Sequence, residues 1–255
     1  MIRRNHEKMN YENMEYVKEG KIMKVQCSNL TKRYYTKTAV DHINLTFEPG
    51  HIYALLGPNG SGKSTLMKMI SGLTTQNDGE ILFDGEKQTW RNKADVAYAP
   101  TEAFFFSYMT IKNVAEYYED FFKDFDRLLF QKLLAEMDLR EDMKIKSLSS
   151  GMLAKMKIAV TLSRRAKIVL LDEPLNGIDL MSRDAIIKTI IGYAPEDGSV
   201  VISSHMVEEL EKTVDYAIFM REGSIAYETD VEELREKETK SIVDKYREIY
   251  SWEVA

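Results

Sequence analysis

The chain has 255 residues, 44% of them hydrophobic and 30% charged, with a formal net charge of −6. That is enough for a large core in one or two domains. It leaves no basic stripe for a nucleic acid, no apolar run long enough to span a membrane and, after Arg3 and Arg4, no apolar segment that would make a signal peptide. Cys27 is the single cysteine, so no internal disulfide forms and an inert thiol is expected. These totals read as a soluble cytosolic protein.

Taken in chain order, residues 1–21 form a polar arm of mixed charge. Ile22, Val25 and Leu30 predict a first strand, and Ile43-Asn44-Leu45-Thr46-Phe47 alternates as a half-buried strand does. Glu48-Pro49-Gly50 turns the chain into a second, wholly apolar strand, Ile52-Tyr53-Ala54-Leu55-Leu56. Then comes Gly57-Pro58-Asn59-Gly60-Ser61-Gly62-Lys63-Ser64-Thr65, which fits the phosphate-binding pattern G-x-x-x-x-G-K-[ST]. The glycines let backbone approach an anion without a Cβ in the way, and successive N–H groups converge on it. In this pattern Lys63 reaches the β- and γ-phosphates and the Ser64 hydroxyl ligates Mg²⁺. Leu66, Met67, Met69 and Ile70 give the following helix an apolar face, Gly72 stops it, and its N-terminus aims at the phosphates.

Turn pairs at Asn77-Asp78-Gly79 and Asp84-Gly85 flank Glu80-Ile81-Leu82-Phe83, a strand expected in an antiparallel section. Strand signals stop over residues 102–165. Thr110 reads as a helix cap, and Leu129, Leu133 and Met137 share one helical face, so a helical insert is expected there. Strands return at Ile168-Val169-Leu170-Leu171-Asp172, Val200-Val201-Ile202-Ser203 and Tyr216-Ala217-Ile218-Phe219-Met220, with a helix marked by Ile186, Ile187 and Ile190. That alternation predicts an α/β fold with a parallel sheet and crossover helices. Residues 231–255 read as a helical extension. It carries Glu233–Lys237 and Glu236–Lys240 at i,i+4 and a stripe of Ile242, Tyr246 and Ile249, which serves either as a packing face or as a dimer seam.

Asp172 and Glu173 follow a buried strand, at the sheet edge where open α/β proteins bind ligands. Asp172 there holds Mg²⁺ directly or through water, and Glu173 orients and deprotonates an attacking water. His205 ends a neighbouring core strand on the same edge, within reach of a γ-phosphate and that water.

Together these motifs resemble the ATP-binding subunit of an ABC transporter, over about residues 22–230. Besides the P-loop and Leu170-Leu171-Asp172-Glu173-Pro174, Leu148-Ser149-Ser150-Gly151-Met152 is similar to the family signature L-S-G-G-Q. Gly177-Ile178-Asp179 resembles the D-loop, Ser203-Ser204-His205 the switch histidine, and Tyr34 the aromatic that stacks on adenine. The resemblance implies a P-loop ATPase core with an antiparallel section and an inserted helical subdomain, using ATP and Mg²⁺. It implies two ATPase subunits, of the same or unlike chains, facing head to tail. Each ATP would then lie between one P-loop and the other subunit's Ser149 and Gly151. It also implies transmembrane permease partners and a peripheral place on the cytoplasmic face of the membrane.

Two departures bear on that reading. Thr101 stands where the family usually has Gln, with a hydroxyl that ligates Mg²⁺ or its water but reaches less far. Ser150 and Met152 replace Gly and Gln in the signature, either as tolerated variation or as one weakened site of a heterodimer. The general tone of the motifs is similar to that of single-domain bacterial exporters of antibiotics, antimicrobial peptides and lipid-linked substrates. The competing reading is an ABC-type ATPase that regulates or scaffolds without transport. Phe104-Phe105-Phe106, after the Thr101 loop, is expected either to line a docking groove for a permease helix or to fill the core of the insert.

Overall fold

Val25, Cys27 and Leu30 are all buried although the last two are three residues apart, which a flat strand does not allow. In the structure, a computed structural model describing residues 23–102 and 104–251, a bulge resolves this. β1 (Val25–Tyr34) shifts register between Cys27 and Leu30, and Asn29 takes a left-handed φ of 51°. The expected N-terminal arm and Ile22 lie outside the described residues. Cys27 faces the core, and burial pushes its thiol up to about 12, as an inert thiol requires.

β1 pairs antiparallel with β2 (Lys37–Phe47) and β4 (Asp78–Phe83), and β4 pairs with the short β5 (Glu86–Lys87). β2 begins six residues before the expected Ile43; its first half is mostly exposed and polar, so alternation is weak there. The second sheet has six strands in the order β10-β9-β3-β8-β7-β6. β3 (Ile52–Leu56), β6 (Val96–Ala99), β7 (Ile168–Asp172), β8 (Ser199–Ser204) and β9 (Tyr216–Arg221) run parallel, and β10 (Ser224–Asp230) closes one edge antiparallel. The parallel strands β7 and β8 are buried along their whole length.

Helix α1 (Lys63–Ile70) carries buried Leu66, Met67, Met69 and Ile70 into one core, shared with residues of both sheets. Gly72 terminates it in a left-handed turn at φ 71°, with the Leu73 N–H reaching back to the Lys68 carbonyl. The short α2 (Trp90–Lys93) leads into β6. A second core lies on the other side of the sheet, under α3 (Ile111–Phe121), α4 (Arg127–Glu136), α5 (Ser150–Leu162) and α6 (Leu180–Gly192). Thr110 caps α3 by accepting the Asn113 N–H.

The C-terminal stretch is two helices, α7 (Val231–Glu238) and α8 (Ile242–Tyr250), separated by Thr239 at φ 54°. Glu233 and Lys237 pair as expected. The break redirects Lys240, which pairs with Glu238 and Glu248 rather than Glu236. Ile242 is fully buried and Tyr246 and Ile249 pack on the same core, so the stripe is a packing face within the chain.

Candidate functional site

The carboxyl ends of β3 and β7 bring Gly57 and Asp172 to one edge of the sheet. There the loop from Gly57 to Gly62 leads into α1, with Gly57, Gly60 and Gly62 at φ 151°, 85° and 109°. A Cβ on Gly57 would lie 2.4 Å from the Met220 carbonyl oxygen, and one on Gly62 2.4 Å from that of Ala39. The tight loop therefore needs glycine for space as well as for conformation.

Asn59, Gly60, Ser61, Gly62, Lys63, Ser64 and Thr65 line a cavity of about 510 Å³. Tyr34, Lys37, Thr101, Glu173 and Asn176 line it too. Tyr34 is half exposed at its mouth, with the Lys32 ammonium 5.0 Å from the ring centre. Pro58 contributes its carbonyl. Lys63 Nζ donates to the carbonyls of Gly57 at 2.7 Å and Pro58 at 3.1 Å, and stands 3.6 Å from Glu173 Oε1. Burial lowers the Lys63 pKa, and the neighbouring Glu173 and Asp172 carboxylates oppose that shift.

Asp172 is the hub. Its Oδ1 accepts from Ser64 Oγ at 2.9 Å and Ser203 Oγ at 2.7 Å; its Oδ2 accepts from the Tyr98 hydroxyl at 3.2 Å. Burial first, and then this carboxylate, push the Tyr98 phenol well above its usual range, so it stays protonated and donates. Thr101 Oγ1 donates to the Asp172 backbone carbonyl at 3.2 Å.

Glu173 is buried at a left-handed φ of 50°, which is costly for a residue with a Cβ. Ser203 holds it there, because the Glu173 N–H donates to Ser203 Oγ at 2.9 Å. His205 Nδ1 lies 2.9 Å from Glu173 Oε2. Glu173 Oε1 and Ser61 Oγ are buried without a hydrogen-bond partner. Buried polar atoms are rarely left so unless a ligand, ion or water completes them. With a cradle that admits no Cβ and an all-oxygen set at Ser64, Thr101 and Asp172, the residues fit a nucleotide phosphate with a hard divalent cation such as Mg²⁺.

The structure does not bring Ser149, Gly151 or Asp179 to this cavity. Ser149 caps α5, its Oγ accepting the Met152 N–H at 3.2 Å, and is exposed. Asp179 caps α6 through the Ser182 N–H. That hydrogen bonding to Ser182 holds its carboxyl below the usual range. The two caps adjoin, since Ser150 Oγ donates to the Gly177 carbonyl at 3.4 Å.

Phe104-Phe105-Phe106 divides between the two expectations. Phe105 packs on the core of the insert, while Phe104 and Phe106 are exposed. Phe104, Tyr118, Phe122, Leu73 and Arg164 line a second cavity of about 540 Å³ between the sheet and the insert.

Sequence reasoning missed Tyr98, Ser203, Asn176 and Lys157. For Ser203 a signal was present: a serine directly after the apolar run Val200-Val201-Ile202 of a buried parallel strand is a buried polar group that needs a partner.

The fold and this cavity define a P-loop nucleotide-binding protein of the α/β class. The ABC transporter family model matches residues 40–176, more than half of the chain. The lantibiotic transport ATP-binding protein SrtF of Streptococcus pyogenes is 32% identical over 213 residues, 82% of this chain and 91% of the relative. YtrB, an ABC transporter ATP-binding protein of Bacillus subtilis, is 29% identical, covering 85% of this chain and 75% of its own. The bacitracin transport ATP-binding protein BcrA of Enterococcus faecalis is 29% identical, covering 89% and 73%. A solved ATP-binding subunit of an ABC transporter superposes with a TM-score of 0.78 at 20% identity, covering 88% of this chain and 98% of that one. The chain belongs to the ABC transporter family, as an ATP-binding and ATP-hydrolysing subunit of a transporter.

Proposed function

We propose that the chain powers export of a drug, peptide or lipid-like substrate through a transmembrane permease, as one of two ATPase subunits at the cytoplasmic face of the membrane. Support for a drug or peptide substrate is the likeness to lantibiotic and bacitracin transport proteins. Among the described residues no helix is long and apolar enough to cross a membrane; in this reading the path is supplied by the permease.

The observation that carries the reading is the division of the motifs. Lys63, Ser64, Asp172, Glu173 and His205 interlock around one cavity, while Ser149 and Gly151 stand away from it at the N-terminus of α5. A head-to-tail dimer brings the second set onto the partner's nucleotide. There the α5 terminus offers N–H groups and a positive dipole end to a γ-phosphate.

Within one site the residues divide the work. The P-loop amides and Lys63 bind the phosphates. Ser64 and Asp172 would hold Mg²⁺, with the Thr101 hydroxyl close by on the Asp172 carbonyl, and the bound ion would supply charge neutralisation at the phosphates. Glu173 orients the attacking water and takes its proton at Oε1, which has no hydrogen-bond partner and faces the Lys63 ammonium at 3.6 Å. His205, bonded to Oε2, fixes the carboxylate. Tyr34 stacks on the adenine at the mouth.

The cavity beside Phe104 and Phe122 is the proposed seat for a permease helix, a helix-in-groove contact. Purification from membranes in mild detergent tests the whole reading. A multispanning partner is expected to co-purify and to crosslink to cysteines at positions 104 and 106. Recovery of the ATPase without any such partner favours the regulatory reading.

A further inference from the structure

We propose that Lys157 is a positioning residue for the metal side of the site, tying the helix that carries the signature to the Thr101 loop and through it to Asp172. This rests on the reading of Ser64 and Asp172 as the Mg²⁺-holding pair.

Lys157 lies two turns into α5 from the Ser149 cap and is only 9% exposed. Ala154 and Thr161, three residues before and four after, are buried on the same face. At this depth an ammonium is expensive unless it is hydrogen-bonded. Lys157 Nζ donates to two consecutive backbone carbonyls, Pro100 at 2.8 Å and Thr101 at 2.6 Å. An apolar side chain of similar length would fill the volume without that cost, but it would not hold two carbonyls.

The two carbonyls belong to the loop that leaves β6 for the helical insert. With both turned onto Lys157, the Thr101 side chain is left to the nucleotide cavity, which it lines, and its Oγ1 reaches the Asp172 carbonyl. A threonine hydroxyl reaches little, so the loop must be held close for it to serve the metal. The hydrogen bonds run without a break from α5 through Thr101 to Asp172, whose carboxylate gathers Ser64, Ser203 and Tyr98.

The test is the gain in nucleotide affinity that Mg²⁺ confers, measured by calorimetry on the full chain with a non-hydrolysable ATP analogue, with the ion and with EDTA. K157M is expected to cut that gain at least fivefold while leaving the Mg²⁺-free affinity within twofold. K157Q, whose shorter, uncharged amide still donates but reaches the two carbonyls less well, falls between K157M and the natural residue and carries the same test should K157M fail to fold. Amide exchange over residues 98–102 speeds up in the same order. An undiminished gain in a folded K157M or K157Q overturns the proposal. So does an equal loss of affinity with and without Mg²⁺, which marks a purely structural lysine. S64A separates the two levels. If S64A abolishes the gain and K157M does not, only the role of Lys157 falls; if S64A leaves the gain intact, the metal reading falls and takes the proposal with it.

Discussion

The P-loop side and the signature side of this chain are both helix N-termini behind short loops, yet they are finished differently. At α1 the loop is closed by its own chain: Lys63 is held by Gly57 and Pro58, Ser64 by Asp172, and Asp172 by Ser203 and Tyr98. At α5 the cap is a serine on the surface, and α6, whose preceding Gly177 carbonyl meets Ser150, begins with the exposed Leu180 and Met181. Groups that must be fixed before the substrate arrives are bonded across the core. Groups that a second subunit would complete in the proposed dimer are left open. The contrast predicts that damage on the first side acts within one chain, while damage on the second acts across a dimer.

The largest effect is expected at the water. Glu173→Gln leaves ATP binding intact and slows turnover by about 10²–10⁴, the usual share of a general base. Steady-state hydrolysis with nucleotide binding measured alongside decides it. Wild-type turnover in this variant moves the base elsewhere, with His205 the first candidate because it touches the same carboxylate.

Lys63→Ala acts on binding itself. Loss of a charge-assisted contact to the phosphates weakens ATP affinity roughly 10–100-fold. The same variant also frees the Gly57 and Pro58 carbonyls, so a lowered melting temperature should accompany the weaker binding. Unchanged ATP affinity would mean that Lys63 stays on its loop carbonyls when nucleotide arrives.

The comparison is sharpened most by combining the two sides, for a chain that pairs with itself. A Lys63→Ala batch and a Ser149→Arg batch each give dimers with two damaged sites. In a mixed dimer both lesions fall in one site and the other is intact. Full subunit exchange should restore about a quarter of wild-type ATP trapping, since half of the dimers are mixed and each of those has one good site. No recovery despite verified exchange implies sites complete within one protomer, or an unlike native partner.

The legible parts of the sequence were those whose signals are local. β3, the glycine spacing and the apolar face of α1 sit within a few residues of one another, and all form as expected. β6 was not legible as a strand: its four residues end at Pro100 and gain strand character only from pairing with β7. β10 is half-exposed and polar at Glu228 and Thr229, as an edge strand can be. The site divides the same way. Lys63, Ser64 and Asp172 follow from motif and strand. Tyr98 meets Asp172 across 74 residues, and Lys157 meets Thr101 across 56, so nothing near either residue announces the contact. The motif names the phosphate side and leaves unnamed the residues that hold it in place.

The smallest effect is expected where the C-terminal helix backs the P-loop. Tyr250, at the end of α8, donates its hydroxyl to the buried Met220 carbonyl at 2.8 Å, and that carbonyl is the atom a Cβ on Gly57 would strike. α8 also meets the segment after His205, where the Val243 N–H reaches Glu211 and Arg247 pairs with Glu208. Tyr250→Phe keeps the ring and the packing and removes one hydrogen bond, leaving a buried carbonyl with one partner fewer. The expected loss is about 1 kcal/mol, which for a domain of this size lowers the melting temperature by roughly 2–4 °C. ATP affinity should move by less than about twofold, because the P-loop's own bonds to Lys63 remain. A larger drop in affinity than in stability would reverse the expectation. It would mean that the phosphate loop is held as much from outside the motif as from within, and that the closed side of the comparison depends on the last helix of the described chain.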